Sequence, residues 1–230
     1  MKKIQGFAWS VSEKSRRKRA EIFRQRFVID KTTKLLDIGS ESGENINLVL
    51  SGTDILPENV YIADIDNAAL EKGCERFGYQ PVFLDQSGSL SFPENFFDIV
   101  YCSSVIEHAT IRKERIWNVL SEKEFQTESL KNQKKLAGEI NRIGKQYFVQ
   151  TPAKYFPLES HTGLPFFAFL SRSAQIKIMK VTNKFWIKEA HPDFNLLTKK
   201  QMQQFFPEAE IILEKKFGMI KSIMAIKSLR

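Results

Sequence analysis

Short runs of β-branched and aromatic residues alternate with longer segments of helical apolar spacing along the first two thirds of the chain. This alternation predicts strands and helices in turn, which is typical of α/β proteins with a parallel sheet. Strands are predicted at 34–37, 60–63, 81–84, 97–102 and 147–151, and helices at 44–50, 110–120 and 124–143.

The C-terminal part has a different pattern, in which two β-rich runs lie at 209–217 and 219–227. Gly218 separates them, and so short a connection containing glycine predicts an antiparallel hairpin. The chain is therefore expected to add an antiparallel pair of strands to a parallel sheet.

The segment 34–43 predicts a buried strand that ends at Asp37 and breaks into a turn containing Gly39 and Gly43. The helical pattern of 44–50 follows directly, so the turn presents backbone N–H groups at a helix N-terminus. Glycine lets a ligand approach the main chain and tolerates a positive φ. This segment alone indicates a ligand-binding turn without identifying the ligand.

Polar residues follow the next three predicted strands as well. Asp64 ends the second strand, 27 positions after Asp37, about where a ribose-binding acid lies in a nucleotide-binding βαβ unit. Asp85 and Gln86 follow the third strand, and Ser103 follows the fourth. Open parallel sheets bind ligands at the carboxyl ends of their strands, so these residues predict a ligand site at that edge.

Four stretches carry a family resemblance: Leu36-Asp37-Ile38-Gly39, Ile62-Ala63-Asp64-Ile65, the run 90–100, and Val105-Ile106-Glu107-His108. Together they resemble class I S-adenosylmethionine-dependent methyltransferases, most closely the ubiquinone-biosynthesis-type small-molecule branch, with bacterial members of unassigned substrate. The resemblance covers residues 34–152 well and extends loosely to the C-terminus. It implies a Rossmann-like, seven-stranded, mostly parallel α/β sheet with helices on both faces, a C-terminal antiparallel hairpin, and S-adenosylmethionine as cofactor.

The same resemblance implies the roles of the residues at the strand ends. The acid and the glycines of the turn shape the methionine end of the cofactor site, Asp64 accepts hydrogen bonds from the ribose, and Asp85 with the Gln86 backbone reads the adenine edge. The predicted cofactor-binding set is Asp37, Gly39, Ser40, Glu41, Gly43, Asp64, Ile65, Asp85, Gln86 and Ser103.

One residue departs from the family pattern, because Glu41 stands where the middle glycine of the turn is expected. Its side chain either points outward, contacts the amino group of the cofactor, or weakens the cofactor site. The departure disfavours a dinucleotide, since the carboxylates of Glu41 and Glu44 would face a pyrophosphate, whereas a sulfonium cation tolerates them.

Length and composition set the organisation and the compartment. With 230 residues and 42% hydrophobic content, the chain is predicted to form one domain spanning 1–230. Within it lie a cofactor-binding core at 34–152, an insertion at 153–197 and the hairpin at 209–228. Cys74 and Cys102 offer neither a disulfide framework nor metal-ligand spacing, so no metal is predicted. Without a visible signal peptide or membrane span, a cytoplasmic protein is expected.

The formal net charge of +8 is concentrated near the N-terminus. Residues 13–26 hold seven basic and two acidic side chains, in a helix predicted at about 12–28. Phe23 and Phe27 would anchor this helix while its cations, including Arg24, stay solvated. It either binds nucleic acid, anionic lipid or an anionic sugar, or covers the cofactor cleft; the second interpretation is favoured because no RNA-binding module accompanies it.

The insertion at 153–197 supplies candidates for acceptor chemistry. Glu159 and His161 lie just after the fifth strand, and His108 follows the fourth. All three are candidate catalytic bases for a hydroxyl acceptor, and each also has a structural interpretation, as a hydrogen-bonded lid pin or a helix-terminal histidine. The aromatic run 165–170 predicts an acceptor pocket, a membrane-facing lip or the buried face of a helix.

The sequence therefore predicts methyl transfer from S-adenosylmethionine to a small-molecule, glycan or lipid-linked acceptor, at oxygen. Peripheral membrane contact is compatible with this prediction, and no oligomeric state follows from it. Two alternatives stay open. One is an RNA methyltransferase that uses the basic helix, and the other is a methyltransferase-like binding module without catalysis.

Overall fold

The computed structural model describes the backbone of residues 2–84, 90–185 and 190–229, with side chains from residue 13 onward in these ranges. The helices are α1 (Lys2–Arg26), α2 (Glu44–Leu50), α3 (Asn67–Phe77), α4 (Glu122–Ile143), α5 (Arg172–Thr182) and α6 (Lys199–Phe205). The strands are β1 (Leu35–Ile38), β2 (Val60–Asp64), β3 (Gln80–Phe83), β4 (Phe97–Ser103), β5 (Gly144–Pro152), β6 (Glu210–Lys216) and β7 (Met219–Lys227). Within these ranges, no helix combines the length and apolar character needed to cross a membrane.

All seven strands form one sheet, in the order β3-β2-β1-β4-β5-β7-β6. β1 pairs in parallel with both β2 and β4, so that Leu35 lies opposite Val60 on one side and Ile99 on the other. β6 and β7 pair antiparallel through a turn in which Phe217 and Gly218 both have positive φ. This topology confirms the predicted seven-stranded, mostly parallel sheet with its C-terminal hairpin. The strand order reverses between β1 and β4, the position at which open α/β sheets bind ligands.

The described residues form two compact units. The first contains residues from 1–102, 142–148 and 227–230, and the second contains 103–141 and 149–226. In the first unit, every residue of β1 is buried, which explains why the strand reads as a continuous apolar run around Asp37. Phe23 of α1 is fully buried, with its ring edge-on to Tyr101 and Phe148 at 5.4 and 5.7 Å. The predicted anchoring of the basic helix is therefore confirmed.

The second unit has its own core, which includes much of the insertion. Phe167, Met179, Phe194 and Leu196 form one buried cluster. Arg172, only 3% exposed, lies with its guanidinium 3.3 Å from the ring centre of Phe125. This stacking, together with hydrogen bonds to three backbone carbonyls, fixes the start of α5 within the second unit.

The predicted helices agree with the structure only in part. The helix expected at 124–143 is confirmed as α4, whereas the helix expected at 110–120 is wrong, since this segment contains only a short turn at Lys113–Arg115. The Arg172 guanidinium donates to the carbonyls of Ile116 and Val119, both at 2.7 Å, and satisfies backbone groups that helical hydrogen bonds would otherwise use. The N-terminal helix also differs from its expected bounds of 12–28, because it begins at Lys2.

Candidate active site

The turn after β1 has the backbone conformation that its glycines predict. Gly39 and Gly43 have φ values of 73° and 74°, and Glu41 between them has a φ of 50°. The N–H groups of Gly39 and Ser40 donate to the Ala63 carbonyl at 2.7 and 3.1 Å, which ties the turn to the end of β2. Glu41 therefore adopts a left-handed conformation that glycine would adopt with less strain, and its side chain is exposed.

Asp64 holds this turn through its carboxylate. Its Oδ2 accepts the N–H of Glu41 at 2.8 Å, and its Oδ1 accepts the N–H groups of Ile65 and Asp66 at 2.7 and 3.1 Å. An ionised carboxylate offers about four acceptor positions, so these three bonds leave room for one more donor. The arrangement fits the ribose-binding role implied for Asp64, with the turn already positioned by the same side chain.

Asp37 is nearly inaccessible, at 3% exposed. Burial raises the pKa of its carboxyl to about 7, the hydrogen bond from Ser40 acts in the opposite direction, and the negative charge of Asp64 raises it further. The Ser40 hydroxyl donates to Oδ2 of Asp37 at 2.6 Å. The structure thus makes Asp37 a buried support of the turn, and Ser40 its hydrogen-bond partner.

A glycine that the sequence analysis missed lets α3 approach the turn. A Cβ atom on Gly73 would lie 2.6 Å from the Ser42 carbonyl oxygen, closer than such atoms come in real proteins. A Cβ on Gly43 would lie 3.3 Å from the ring of Tyr79. At Gly73 the helix therefore approaches the backbone of the turn so closely that a side chain there would force a shift. A glycine inside a helical pattern was the available signal for Gly73.

The remaining predicted cofactor residues have varied surroundings. Asp85 and Gln86 lie outside the described residues. Ile65, at the end of β2, is 51% exposed, as an apolar contact for a planar base would be. Ser103 lies in the second unit, where its hydroxyl donates to Oε1 of Gln150 at 2.7 Å. Its role toward the cofactor, like those of the whole predicted set, stays a prediction.

The second unit brings the three catalytic candidates into one cluster. Nδ1 of His161 lies 2.6 Å from Oε1 of Glu159, and the His161 backbone N–H donates to the same oxygen at 2.8 Å. The other carboxylate oxygen accepts from the N–H and the hydroxyl of Thr162, at 2.6 and 2.8 Å. Glu159 therefore orients the His161 ring and also fixes the backbone of its own loop, so both sequence interpretations of this pair describe part of the geometry.

His108 lies beside this pair. Its ring centre is 4.8 Å from that of His161 in an edge-on arrangement, and its Nδ1 lies 3.4 Å from Oδ1 of Asp193. The His161 ring in turn stacks on Phe194 at 4.3 Å. His108 is therefore placed by side chains as well as by its backbone, whose N–H donates to the Val105 carbonyl.

Glu107 completes the cluster and was missed as a site residue. Its side chain is fully buried, and its Oε2 accepts the Thr151 hydroxyl at 2.9 Å. Its Oε1 lies 3.8 Å from Nε2 of His161 and has no hydrogen-bond partner among the described residues. An acid directly before His108 was the available signal. Asp193 was also missed, since nothing in the spacing of the chain connects it to 107–108 or 159–161.

Burial and mutual charge shift the pKa values in this cluster. Burial would raise the pKa of Glu159, but the hydrogen bonds and charge of His161 and the N–H of Thr162 lower it to about 2. Burial would lower the pKa of His108, yet the hydrogen bond of Asp193 and the charges of Glu107, Asp193 and Glu159 raise it overall. The pKa of Asp193 is lowered, because its contacts with His108 outweigh its burial. The ionised forms of Glu159 and Asp193 are therefore favoured beside the two histidines.

One cation of the basic helix contacts the end of α2. Arg24 was expected to be solvated, but it donates to the carbonyls of Leu48 and Val49 at 3.2 and 2.9 Å, so that expectation is wrong. These carbonyls belong to the last turn of α2, where cationic side chains are favoured.

The aromatic run 165–170 is divided between core and surface. Phe167 is buried, whereas Phe166 is 64% exposed, so the run is neither a wholly buried face nor a wholly exposed one.

The family comparison matches residues 36–124 to the family described as "Methyltransferase domain". No curated protein matches the chain significantly.

Solved structures share the fold across most of the chain. A protein from Nostoc punctiforme PCC 73102, provisionally described as an O-methyltransferase, has a TM-score of 0.57 and 14% identity, covering 96% of this chain and 59% of that one. An S-adenosylmethionine-dependent methyltransferase from Clostridium acetobutylicum ATCC 824 has a TM-score of 0.52 and 9% identity, covering 88% and 85%. The CurJ carbon methyltransferase has a TM-score of 0.50 and 16% identity, and this chain, covered over 89%, spans 50% of its length.

These likenesses establish the fold alone, since identities this low do not carry function. The methyltransferase-domain match adds the class: it covers the turn after β1, β2 and β4. Fold and match together support a class I S-adenosylmethionine-dependent methyltransferase, with S-adenosylmethionine as its cofactor.

Proposed function

We propose that the chain transfers a methyl group from S-adenosylmethionine to a hydroxyl oxygen of a small-molecule, glycan or lipid-linked acceptor. The observation that carries this proposal is the contact between Glu159 and His161, whose Oε1 and Nδ1 atoms lie 2.6 Å apart. A bond from the Nδ1–H of a neutral imidazole to a carboxylate leaves Nε2 with its lone pair available for a proton. A hydroxyl acceptor loses its proton during methyl transfer, and Nε2 is placed to receive it.

The residues divide the work between binding and proton transfer. In the first unit, Asp64 and the turn from Gly39 to Gly43 hold the cofactor, which supplies a methyl group already activated by its sulfonium. In the second unit, His161 receives the acceptor proton at Nε2, and Glu159 keeps the ring oriented and stabilises the imidazolium that results. His108 and Asp193 form a second oriented pair beside it.

The surface of the insertion supports an apolar or lipid-linked acceptor. Tyr155, Leu158, Phe166 and Phe169 are between 52% and 65% exposed. The Phe169 ring lies 6.3 Å from the rings of both Tyr155 and Phe166, so three of these side chains are neighbours. Exposed apolar groups of this kind mark contacts with membranes or apolar ligands. Peripheral contact with a lipid surface belongs to the same proposal.

The basic helix lends less support to RNA as the acceptor. Arg24 is engaged with the end of α2, and Arg17 pairs with Glu13 at 2.8 Å. At least part of the basic charge thus has a structural use. RNA therefore enters the proposal as an outcome to be tested and not as a second function.

Two measurements test the proposal. Calorimetric titration with S-adenosylhomocysteine should show binding by the wild-type protein; absence of binding at millimolar ligand would leave the non-catalytic module as the better interpretation. Transfer of a tritiated methyl group is then measured to catechol, N-acetylglucosamine, an undecaprenyl-linked sugar and total RNA.

We expect alkali-stable label, as in methyl ethers, on one of the hydroxyl probes. His161→Ala should lower this transfer by roughly 100-fold or more, the range of general-base contributions, without changing affinity for S-adenosylhomocysteine. The matched control is His191→Ala, since His191 is exposed and lies outside the cluster. Label found only on RNA, or equal transfer by the His161 and His191 variants, would contradict the proposal.

A further inference from the structure

We propose that the second unit binds a divalent transition-metal ion through Glu107, His108 and His161. One ligand atom from each of these three side chains lies within 4.8 Å of the other two. The sequence analysis predicted no metal, because it considered only the cysteines and the spacing of residues along the chain. The three ligands come instead from the segment after β4 and from the insertion.

The first argument is the unpaired oxygen of Glu107. The side chain is 0% exposed, and the Thr151 hydroxyl donates to Oε2 at 2.9 Å, which fixes the carboxylate. Oε1 is buried and has no hydrogen-bond partner among the described residues. A buried carboxylate oxygen without a partner is costly, and such groups are normally paired or coordinate a metal. Oε1 faces Nε2 of His161 at 3.8 Å, so any cation it binds there also meets that nitrogen.

The second argument is that Nδ1 of each histidine contacts a carboxylate oxygen. Nδ1 of His161 lies 2.6 Å from Glu159, and Nδ1 of His108 lies 3.4 Å from Asp193. Histidines that bind metals almost always donate their other ring N–H to a carboxylate, a carbonyl or water, which fixes the ring and the tautomer. Here both rings have that partner at Nδ1, and both therefore offer Nε2 as the ligand atom.

The distances suit an ion of ordinary size. Bonds of about 2.0–2.2 Å to imidazole nitrogen and carboxylate oxygen span separations up to about 4.2 Å. The 3.8 Å between Glu107 and His161 lies within this limit. The widest separation allowed by the cluster, 4.8 Å, needs a shift of about 0.6 Å, and His108, with its side chain 35% exposed, is the ligand with most room to move.

The donor set indicates the kind of ion. Two imidazoles and one carboxylate suit zinc, iron, cobalt or nickel, whereas magnesium prefers oxygen ligands and water. Three carboxyl groups, those of Glu107, Glu159 and Asp193, lie within 3.8 Å of a ring nitrogen of His108 or His161, and a cation is favoured beside them.

Three protein ligands leave a coordination position open, as in catalytic zinc sites. The role of the ion rests on methyl transfer to a hydroxyl, as proposed above, but it replaces His161 as the means of removing the proton. A hydroxyl bound at the open position would lose its proton more readily, and the proton would pass to solvent, since Nε2 of His161 would be a ligand. Ion binding itself does not depend on methyl transfer and is tested separately.

The test is calorimetric titration of EDTA-treated, dialysed full-length protein with Zn²⁺, Mn²⁺ and Mg²⁺. We expect one Zn²⁺ per chain, with affinity falling in the order Zn²⁺, Mn²⁺, Mg²⁺. Glu107→Gln, which keeps the shape and the Thr151 bond, and His161→Ala should each weaken Zn²⁺ binding about 100-fold or more. Asp193→Asn should weaken it by about 10- to 100-fold, the usual effect of removing a partner behind a ligand.

Controls separate this site from other Zn²⁺ ligands and from misfolding. His191→Ala should bind Zn²⁺ as the wild-type protein does, and Co²⁺-loaded protein should lack the intense charge-transfer band of cysteine thiolate, which excludes Cys74 and Cys102. Circular dichroism checks that each variant keeps the wild-type fold.

The outcomes of the two proposals differ. Failure of the wild-type protein to bind Zn²⁺ or Mn²⁺, or wild-type affinity in Glu107→Gln, would overturn the metal site. Metal-free protein that still transfers methyl in a His161-dependent manner would leave the proposed function intact without the ion. Protein that binds Zn²⁺ but transfers no methyl group to any hydroxyl probe would support the metal site and contradict the proposed function.

Discussion

Oε1 of Glu159 accepts both the ring Nδ1–H and the backbone N–H of His161, at 2.6 and 2.8 Å. One oxygen thereby sets the orientation of the imidazole and the position of the residue that carries it. The side chain of Glu159 is 0% exposed and that of His161 is 17% exposed, so water competes little for these bonds. The Nε2 atom is left facing Oε1 of Glu107 at a distance of 3.8 Å.

Replacing Glu159 by glutamine should impair methyl transfer more than cofactor binding. The amide keeps the size of the side chain but loses the charge that stabilises a protonated or metal-bound His161. We expect the rate of transfer to fall by roughly tenfold or more, with affinity for S-adenosylhomocysteine unchanged. Glu114→Gln, an exposed glutamate of the same unit, is the control. Equal losses of rate and cofactor affinity would indicate that Glu159 is needed only for folding.

The pH dependence of stability gives a second readout for Glu159. Its folded pKa of about 2 lies below the ordinary value of 4.5, so its ionised form stabilises the native state at pH values above 4.5. That contribution is lost as the pH falls from 4.5 through about 2. The stability advantage of the wild-type protein over Glu159→Gln, measured by urea unfolding, should therefore shrink across this window. A constant difference would contradict the assignment.

Asp64→Asn should weaken cofactor binding. The amide oxygen cannot replace both carboxylate oxygens that accept from Glu41 and Ile65, and it lacks the charge for a ribose hydroxyl. A hydrogen bond to a charged group contributes about 1.5–3 kcal/mol, so we expect affinity for S-adenosylhomocysteine to fall by roughly 10- to 100-fold. Asp54→Asn, exposed in the same unit, serves as the control in the titration. Unchanged affinity in Asp64→Asn would refute the ribose assignment.

Asp37 should make the native state less stable as the pH rises towards neutrality. Its folded pKa of about 7 exceeds the ordinary 3.8, so the native state holds this proton more tightly than the unfolded chain. The stabilisation is complete below pH 3.8 and is lost as the pH rises through about 7. Asp37→Asn removes this dependence, and by about pH 8 it should gain up to about 4 kcal/mol relative to wild type. The free energies of unfolding of the wild-type protein and Asp37→Asn are compared at pH 4 and pH 8. An equal difference between the two proteins at both pH values would show that Asp37 does not titrate in this way.

The exposed aromatic side chains of the insertion should carry any lipid contact. Phe166 and Phe169 are 64% and 55% exposed, and Phe166 has a φ of 57°, an unfavourable conformation for a bulky residue. Replacing both by serine should lower co-sedimentation with phosphatidylglycerol vesicles severalfold while leaving S-adenosylhomocysteine affinity unchanged. Val181→Ser, an exposed apolar residue on α5, is the control. Equal co-sedimentation of all three proteins would place lipid contact elsewhere.

The sequence predicted the sheet and the turn after β1 because both rest on local patterns. Buried parallel strands read as continuous apolar runs, and a glycine-containing turn before a helix has few conformations available. The sequence singled out His108, Glu159 and His161 but missed Glu107 and Asp193, because the cluster is drawn from three separated segments and no spacing connects them. The helix predicted at 110–120 did not form. The side chain of Arg172, over 50 positions away, donates hydrogen bonds to carbonyls that the helix would need.

Alanine at Gly73 and alanine at a second helical glycine, Gly138, should change the free energy of unfolding in opposite directions. An alanine Cβ at Gly73 would lie 2.6 Å from the backbone oxygen of Ser42, which cannot move without distorting the cofactor turn. We expect Gly73→Ala to lower the free energy of unfolding by about 1–3 kcal/mol and to weaken S-adenosylhomocysteine binding. Gly138 also lies inside a helix, α4, but a Cβ there meets no atom within 4 Å. Gly138→Ala should therefore raise the free energy of unfolding by about 0.5–1 kcal/mol, because alanine favours the helix and nothing opposes it. If both variants gain stability in urea unfolding, the close approach of α3 to Ser42 does not constrain the turn after β1, and the conformation of this turn must depend on other contacts.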